Sequence, residues 1–381
     1  MDIKYFDHAA TTPLKEEVLE AMLPYLKNEY GNPSSIYSIG QKAKMAIEDA
    51  REKVADAINC DPLEIYFTGS GSESDNTAIK GIAYANKEKG NHIITSKIEH
   101  PAVMETCETL EHQGFEITYL NVNSNGIIDL NELENAITDK TILISIMFAN
   151  NEIGTIEPIK EISKIAKKHN IYFHTDAVQA LGNIKIDIKD LDVDLLSISA
   201  HKIYGPKGVG ALYVKRGIKF DKILNGGHQE RNKRAGTENV AGIVGFGRAI
   251  QIANEELDKN IEKLTKLRDY YISKIEERVP EVKFNGDRIN RLPGNANFSF
   301  KGVKGDSLLL SLDLKGICAS SGSACTSGSL DASHVLIAIG LSNDLAKSSL
   351  RVTFGYENTI EDVNYLIDAI YDSIKNITGK K

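Results

Sequence analysis

The sequence predicts an α/β protein in which a large domain with a mostly parallel sheet is followed by a small α+β domain. Short apolar strands alternate with amphipathic helices from about Gln41 to Val214, and after Gly245 the pattern changes to one long helix. The chain has 381 residues, which is long for a single hydrophobic core. Strands that alternate with helices indicate a parallel sheet covered on both faces, and ligands of such sheets bind beyond the C-terminal strand ends.

This pattern also predicts where the chain divides. We expect an N-terminal arm at residues 1–15 that packs with the small domain, a large domain at 16–248 and a small domain at 249–381. Helical patterns occupy 15–26, about 41–58 and 72–89 of the large domain. Apolar runs bounded by turn residues predict its strands at residues 64–68, 92–96, 115–120, 141–148, 171–175, 195–199 and 210–214.

The small domain begins with the predicted long helix, whose apolar residues recur at helical spacings from Ile250 to Ile275. Strands are expected at 282–284, 297–300 and 350–354, and a closing helix is expected from Thr359. Between the second and third of these strands lies the only strongly biased segment of the chain, residues 320–329.

The composition favours an ordinary enzyme or binding protein over several other classes. Hydrophobic residues make up 41% of the chain and charged residues 26%, while a net charge of -8 argues against a nucleic-acid footprint. The four cysteines form no CxxC pair or His/Cys cluster, so neither a disulfide framework nor a metal site is expected. The N-terminus resembles no signal peptide and no apolar run could span a membrane, so we expect a cytoplasmic protein.

Residues 320–329 read Ser-Ser-Gly-Ser-Ala-Cys-Thr-Ser-Gly-Ser and contain no large apolar side chain that could bury the thiol of Cys325. The segment is therefore predicted to be a mobile, solvated loop. Free cysteines are usually buried, so a cysteine on such a loop is a candidate reactive thiol. An unreactive surface cysteine is the alternative, and this segment alone does not decide between the two.

The segment Thr68-Gly69-Ser70-Gly71-Ser72-Glu73-Ser74 joins a predicted strand to a predicted helix. Glycines at such a junction let backbone N–H groups and a hydroxyl approach a phosphate at the positive end of the helix. The segment matches neither the Walker pattern nor the GxGxxG pattern, and a plain helix N-cap would have a similar sequence.

Three further polar residues follow predicted strands. His100 comes after the strand at 92–96, Asp176 continues the strand at 171–175, and Lys202 follows the strand at 195–199. A carboxylate at that depth needs a partner, for which a cationic ring nitrogen or an arginine would serve. A lysine at a strand end can form a Schiff base with a carbonyl cofactor, although most lysines in turns only face solvent.

Together these motifs resemble the cysteine desulfurases of the NifS/IscS type, which belong to the class V aminotransferases. The resemblance runs from Phe6 to about Phe354 and covers spacing as well as motifs. It rests on Glu73-Ser74-Asp75-Asn76, Glu99-His100, Asn150-Asn151-Glu152-Ile153-Gly154, Asp176-Ala177-Val178-Gln179, Ser199-Ala200-His201-Lys202, Arg234-Ala235-Gly236-Thr237 and Ser320-Ser321-Gly322-Ser323-Ala324-Cys325. It implies an aspartate-aminotransferase-like fold and pyridoxal 5'-phosphate as cofactor.

The resemblance also implies roles for single residues. Lys202 would hold the cofactor covalently and move protons, and Asp176 would pair with the pyridinium nitrogen. His100 would stack on the ring and act in acid–base steps, while Gln179 would hydrogen-bond the ring oxygen.

The same resemblance implies contacts to the cofactor phosphate and to the substrate. Asn151 and Arg351 would contact the substrate, with Arg351 as a bidentate clamp on its carboxylate. The phosphate would be held by Gly71, Ser72, Ser199 and His201, joined by Thr237 from a neighbouring subunit, which implies a homodimer.

The implied reaction converts L-cysteine to L-alanine and leaves the sulfur on Cys325 as a persulfide. Such covalent catalysis requires an accessible thiolate, and a loop with few contacts suits a thiol that must also meet an acceptor. The implied acceptor is an iron–sulfur scaffold protein or a tRNA-thiolation enzyme.

Three features depart from the family pattern. Ser72 replaces a threonine and keeps the hydroxyl, whereas His228 stands where relatives with this motif usually have glycine. The chain also ends soon after the helix from Thr359, so the resemblance does not extend to the longer tail with which IscS-type members dock on the scaffold protein.

Two kinds of alternative function remain open at this point. A selenocysteine lyase or a class V aminotransferase would share the fold, although a transaminase would not need a cysteine on a mobile loop. A non-catalytic sulfur carrier or scaffold-binding protein would not need Lys202, Asp176, His100 and Cys325 together.

Overall fold

The computed structural model describes residues 3–321 and 332–379, and within them the predicted α/β fold is confirmed. Cys325 and most of the predicted cysteine loop lie outside the described residues. None of the helices in these two ranges combines the length and the apolar character needed to cross a membrane.

The N-terminal part of the chain contributes one short strand and two helices. These are β1 (Lys4–Tyr5), α1 (Glu16–Lys27) and α2 (Ser38–Ile58). Two glutamates in the first turn of α1 favour its start, because they interact with the positive end of the helix. Helix α2 ends at Asn59, which adopts the left-handed conformation typical of helix C-termini.

A seven-stranded sheet forms the centre of the large domain. Its strands are β2 (Ile65–Thr68), β3 (His92–Ser96), β4 (Glu116–Leu120), β5 (Thr141–Ser145), β6 (Tyr172–Asp176), β7 (Leu195–Ser199) and β8 (Gly210–Val214), and their order is β2-β8-β7-β6-β5-β3-β4. Only β8 runs antiparallel to its neighbours. Every residue of β3, β5, β7 and β8 is buried, which explains why these strands contain no charged side chain and are rich in Ile and Leu.

Helices follow most of these strands and cover the sheet. They are α3 (Gly71–Ala85), α4 (Pro101–Glu111), α5 (Leu130–Ala136), α6 (Ile159–Lys168), α7 (Ile188–Leu191) and the single turn α8 (Gln229–Asn232). The strands predicted from the sequence all exist, and their bounds agree with the structure to within three residues.

The predicted long helix after Gly245 is wrong, because the structure has two helices there. They are α9 (Val240–Glu255) and α10 (Leu257–Arg278), separated by Glu256 with φ −98° and ψ 1°. The apolar residues of α9 pack into the core around the large sheet, whereas those of α10 pack into a second core with the small sheet. A change of direction at Glu256 lets each helix face its own core.

The remaining elements form the small α+β unit. They are β9 (Val282–Asn285), β10 (Asn295–Phe300), α11 (Gly305–Asp313), β11 (Ile317–Cys318), α12 (His334–Ala338), α13 (Asn343–Ala346), β12 (Ser349–Thr353) and α14 (Ile360–Thr378). Strands β12, β10 and β9 make an antiparallel sheet in that order. The closing helix expected from Thr359 is confirmed as α14, and a capping box between Thr359 and Asp362 begins it.

The N-terminal arm reaches across to this small unit. Strand β1 pairs in parallel with β11, so that Lys4 lies beside Ile317 and Tyr5 beside Cys318. The amine of Lys4 also forms an ion pair with Asp362, with 2.8 Å between Nζ and Oδ1. These contacts are those expected of the arm, while the exact domain limits stay a prediction.

A buried ion pair holds an unusual turn of the large domain in place. Glu230, Arg231 and Asn232 all have positive φ angles, of 43°, 53° and 64°, a conformation that costs free energy for residues other than glycine. The Glu230 carboxylate accepts hydrogen bonds from Arg51 Nη1 at 2.8 Å and Nη2 at 2.7 Å, and from the backbone N–H of Phe67 at 2.8 Å. The carboxylate therefore fastens this turn to α2 and β2.

We expect Glu230→Gln to lower the free energy of unfolding by about 3 kcal/mol, because it leaves the buried Arg51 guanidinium with only the half-exposed Glu48 as a counter-charge. The measurement is urea unfolding of the purified protein. As a matched control, Asp49→Asn removes the exposed Asp49–Lys53 pair of α2 and should cost less than about 0.5 kcal/mol. Equal losses in the two variants would contradict the stabilising role of the buried pair.

Candidate active site

The carboxyl ends of the parallel strands bring most of the predicted residues to one edge of the sheet. Asp176 is the last residue of β6, and Lys202 ends a short turn directly after β7. Thr68 of β2 and Ser199 of β7 both pair with Gly210 of β8, which places the start of α3 beside the end of β7. This edge is where ligands of open α/β sheets bind.

An open cleft with about 1040 Å³ of empty space lies at this edge. Its lining includes every predicted site residue except Thr237 and Cys325, namely Gly71, Ser72, His100, Asn151, Asp176, Gln179, Ser199, His201, Lys202 and Arg351. The sequence-based site is therefore assembled in one place, from strand ends of the large sheet and from β12 of the small sheet.

Lys202 is held by the N-terminal arm. Its Nζ donates hydrogen bonds to the carbonyl oxygens of Ala9 at 2.6 Å and Ala10 at 2.7 Å, and the Ala9 carbonyl also accepts from Gln179 Nε2 at 2.9 Å. A second cleft of about 820 Å³ lies on the other side of Lys202, but among the predicted site residues it contacts only Lys202 and Gln179. The amine is therefore fixed at the wall of the first cleft.

The carboxylate of Asp176 is buried beside two groups that can carry positive charge. Burial raises the pKa of Asp176, while His100, the backbone N–H of Val178 and Lys202 lower it. The Val178 N–H donates to Oδ1 at 2.9 Å. The sequence left a ring nitrogen or an arginine open as the partner of Asp176. In the structure, His100 and Lys202 are the side chains that lower its pKa.

His100 is fixed as the first turn of α4 begins. Its Nδ1 accepts a hydrogen bond from the backbone N–H of Ala102 at 3.1 Å, so the proton of the neutral ring is on Nε2. Burial lowers the pKa of His100, against the effect of the nearby Asp176 carboxylate, which raises it. The ring is therefore a flat, neutral surface in the cleft.

The start of α3 provides a site suited to an anion. Ser70 caps this helix by accepting from the Glu73 N–H at 3.1 Å, so the predicted N-cap is present as well as the glycine turn. A Cβ atom at Gly71 would come within 2.7 Å of Val178 Cγ2, so only glycine fits this close approach. The Oγ of Ser199 is buried and has no protein hydrogen-bond partner, and it lines the same end of the cleft.

Arg351 lies at the opposite side, on β12, and its side chain is 1% exposed. Its Nη1 donates to the backbone oxygen of Asn151 at 3.1 Å, which brings the two predicted substrate-contacting residues together. The backbone of Arg351 exchanges hydrogen bonds with that of Ser320, at 2.6 Å and 3.3 Å. The segment that leads toward Cys325 therefore starts next to Arg351.

Two of the predicted residues are not in the cleft of this chain. Thr237 is exposed and its role depends on a second subunit, so this role stays a prediction. Cys325 lies outside the described residues. His228, whose role the sequence left open, is exposed, and its Nδ1 lies 3.2 Å from Asn232 Oδ1 in the turn described above.

Sequence reasoning missed several polar residues that also line the cleft. They are Ser70, Asp75, Glu99, Glu152 and His334, together with the carbonyl oxygens of Ala9 and Ala10. Asp75 could have been found, because it lies one helical turn after Gly71 on the same face of α3. His334 could not, since it belongs to a helix of five residues with no periodic signal.

The missed carboxyl groups make the floor of the cleft an acidic, buried cluster. Burial and the neighbouring Asp176 raise the pKa of Asp75 well above its usual range, so the proton of this pair resides on Asp75. Burial likewise raises the pKa of Glu99 to about 8, although Ser96 Oγ and the Met147 N–H donate to its Oε1 at 2.6 Å and 3.1 Å. Burial also raises the pKa of Asp176, but His100, the Val178 N–H and Lys202 oppose this effect, so Asp176 is the carboxyl of this cluster best placed to carry a charge.

These groups together suit a phosphorylated aromatic aldehyde. An amine that can bond to a carbonyl carbon, a flat neutral ring, a buried carboxylate for a ring nitrogen, and a hydroxyl without a protein partner beside a helix N-terminus all line one cleft. The described residues include no group of three or more His, Cys, Asp or Glu side chains that could hold a metal ion.

Comparison with known proteins gives a consistent result. The chain matches the class-V aminotransferase family over residues 4–366. It is 58% identical to the "Cysteine desulfurase IscS" of Clostridium botulinum, with 97% of this chain and 94% of that protein covered, and 58% identical to the protein of the same name from Dictyoglomus turgidum, with 98% and 95% covered. A solved "NIFS-like protein" superimposes with a TM-score of 0.93 at 38% identity, covering 98% of this chain and all of that one.

The raised pKa of Glu99 predicts a pH-dependent stability. The ordinary glutamate pKa of 4.5 applies to the unfolded chain, and the folded value is about 8, so between these values the folded state holds a proton that the unfolded state has lost. The contribution of Glu99 to stability therefore falls as the pH rises from about 4.5 to about 8. We expect Glu99→Gln to lose less thermal stability than wild type between pH 5 and pH 8.

The measurement is the melting temperature of the purified proteins at both pH values. Glu105→Gln, which changes an exposed glutamate of α4, serves as the control and should follow wild type. The same pH dependence in wild type and Glu99→Gln would show that Glu99 does not bind the extra proton.

Proposed function

This chain belongs to the class-V aminotransferase family, and from that premise we propose that it is a cysteine desulfurase that uses pyridoxal 5'-phosphate. The observation that carries the proposal is the position of Lys202 Nζ in one cleft with Asp176, His100 and the N-terminus of α3. When bound, pyridoxal phosphate supplies an electron sink that weakens bonds at the Cα and Cβ atoms of an amino acid.

The residues of the cleft would divide the binding of this cofactor among them. Lys202 would hold it covalently, and Asp176 would keep its ring nitrogen protonated. The flat ring of His100 would stack on it, and Gln179 would donate to its ring oxygen. The phosphate would lie at the positive end of α3, with Gly71, Ser72, Ser199 and His201 around it.

The protein also supplies proton transfer. The Lys202 amine donates to the Ala9 and Ala10 carbonyl oxygens and would take a proton from the substrate at Nζ. The neutral His100 ring holds its proton at Nε2. Lys202 would thus accept a proton from a bound amino acid at Nζ, and His100 would donate a hydrogen bond to it from Nε2.

Arg351 and Asn151 would orient the substrate, L-cysteine, by its carboxylate. In the sulfur transfer, the thiolate of Cys325 would attack the substrate sulfur. The Cβ–S bond breaks with its electron pair left on Cβ, an S–S bond forms, and Cβ takes up a proton. One L-cysteine and one thiol thus give one L-alanine and one persulfide, whose sulfur we propose passes to an iron–sulfur scaffold protein or a tRNA-thiolation enzyme.

We expect Cys325→Ala to bind L-cysteine, as followed by a change in the absorbance of the yellow protein, but to form L-alanine at least ~100-fold more slowly and to form no persulfide. The assay measures L-alanine and sulfide from L-cysteine and, in parallel, from L-selenocysteine. Lys202→Ala is the control that lacks the borohydride-reducible bond to the cofactor and should fail earlier, at substrate exchange.

Three outcomes would contradict parts of the proposal. Undiminished sulfide release by Cys325→Ala in a single turnover would remove Cys325 from the reaction. Borohydride trapping on the same peptide in Lys202→Ala would remove Lys202 as the anchor. Turnover of L-selenocysteine alone would indicate a selenocysteine lyase.

We also propose that the active unit is a homodimer. Between residues 26 and 45 the described chain exposes large apolar side chains, among them Tyr30 at 79%, Ile36 at 94% and Met45 at 70%. Large apolar side chains that are exposed to this extent on one stretch of the chain suit a protein interface. The exposed Thr237 would then reach the phosphate of the neighbouring cofactor.

The cytoplasmic location expected from the sequence stays a prediction.

We expect wild type to elute with twice the mass of one chain in light scattering, and Ile36→Asp to shift the protein toward the mass of a single chain, because a charge in an apolar interface is costly. Ile289→Asp is the matched control, since Ile289 is also 86% exposed but lies far along the chain in the small unit. A single-chain mass for wild type, or an equal shift in both variants, would contradict the proposed interface.

A further inference from the structure

The buried Arg351 guanidinium already has a carboxylate partner from this chain. Its Nη2 donates to Asp7 Oδ1 at 2.6 Å, while Nη1 donates to the Asn151 carbonyl oxygen. The side chains of Arg351 and Asp7 are 1% and 16% exposed. Because a cation at this depth is costly without an anion, the Asp7 carboxylate compensates its charge.

This pairing bears on the proposed function, on which the following inference rests. The substrate is an amino acid, and its carboxylate is the group that Arg351 would bind. The structure therefore has an internal carboxylate on the same guanidinium that the substrate carboxylate needs.

The backbone that carries Asp7 is fixed on both sides of the pair. The Tyr5 hydroxyl lies 3.0 Å from the Asp7 carbonyl oxygen and 2.9 Å from that of Thr11, and can donate to either. The Thr353 N–H donates to the Phe6 carbonyl oxygen at 2.8 Å, and the Ala9 N–H donates to Thr353 Oγ1 at 2.9 Å. These hydrogen bonds hold the backbone of the arm and do not involve the Asp7 carboxylate, so exchange at Arg351 requires only the side chain of Asp7 to move.

We propose that Asp7 is a positioning residue that acts through Arg351: it occupies the guanidinium until the carboxylate of the substrate replaces it. Substrate binding is then an exchange of one carboxylate for another, and the charge of Arg351 is compensated before and after the exchange. The cost of displacing Asp7 weakens the binding of every carboxylate ligand and so sets the KM for L-cysteine.

The same short arm carries the carbonyl oxygens of Ala9 and Ala10, which accept from Lys202 Nζ. Asp7 is separated from Ala9 only by His8, whose ring is buried and whose Nε2 has no protein hydrogen-bond partner. The arm thus contacts both residues that must change partners when an amino acid binds, Arg351 and Lys202. This placement distinguishes Asp7 from an ion pair that only stabilises the fold.

The test compares wild type with Asp7→Asn in the purified protein as isolated, with propionate as a carboxylate probe that has neither an amine nor a thiol. We expect Asp7→Asn to melt at a lower temperature without propionate, because Arg351 loses the carboxylate that contacts its Nη2. Propionate should bind the variant about tenfold more tightly and raise its melting temperature more than that of wild type, because the binding-competent form no longer has to be created by displacement.

Two control variants separate exchange from a general loss of stability. Glu256→Gln removes another ion pair of the N-terminal segment, in which Lys15 Nζ lies 2.9 Å from Glu256 Oε2, and its propionate affinity should equal that of wild type. Arg351→Gln should abolish the response to propionate both alone and together with Asp7→Asn.

Kinetics with L-cysteine give an independent measurement. If the substrate carboxylate replaces Asp7 on Arg351, Asp7→Asn should lower the KM for L-cysteine about tenfold. The kcat should stay within about twofold, since the complex with bound substrate is the same in both proteins. A raised KM would mean that Asp7 orients Arg351 for the substrate. An unchanged KM together with an unchanged propionate affinity would mean that the ion pair between Asp7 and Arg351 is purely structural. Either result overturns the inference. If wild type forms no L-alanine from L-cysteine, the proposed function fails, whereas the propionate comparison still tests Asp7.

Discussion

The buried carboxylate of Asp176 is the constraint on which the rest of the site depends. A charge at the end of a fully covered strand is tolerated only if positive groups and N–H donors surround it. The sheet order supplies them: β7 next to β6 ends close to Lys202, and the segment after β3 starts α4 with His100. The groups that surround the Asp176 carboxylate, Lys202 and His100, are therefore also the groups that give the cleft its chemistry.

The other acidic groups of the cleft meet the same constraint in different ways. Asp75 and Glu99 have raised pKa values and are neutral when they hold a proton, whereas Asp7 shares its charge with Arg351. Asp176 has His100 and Lys202 beside it, and both lower its pKa against the effect of burial. A positively charged ring nitrogen beside Asp176 would be stabilised, and one at a neighbouring point would not.

Much of this could be predicted from the sequence, because strand ends are local features. His100, Asp176 and Lys202 each follow a short apolar run, and in a parallel sheet such ends meet at one edge. Asp7 could not be predicted, since its partner Arg351 is far away in the chain and only the folded arm brings them together. The break at Glu256 was missed for a related reason: the apolar spacing continues through it, and only the presence of two separate cores explains the turn.

The pairing of β1 with β11 has a consequence for how the protein is made. Strand β1 is synthesised long before its partner, Ile317–Cys318, which lies near the other end of the described residues. Until then the carbonyl oxygens of Ala9 and Ala10 lack the pairing that anchors the arm beside Lys202, and Asp7 has no Arg351 to contact. A nascent chain can thus complete its large sheet during translation and still be catalytically incomplete until Ile317–Cys318 and Arg351 have been synthesised.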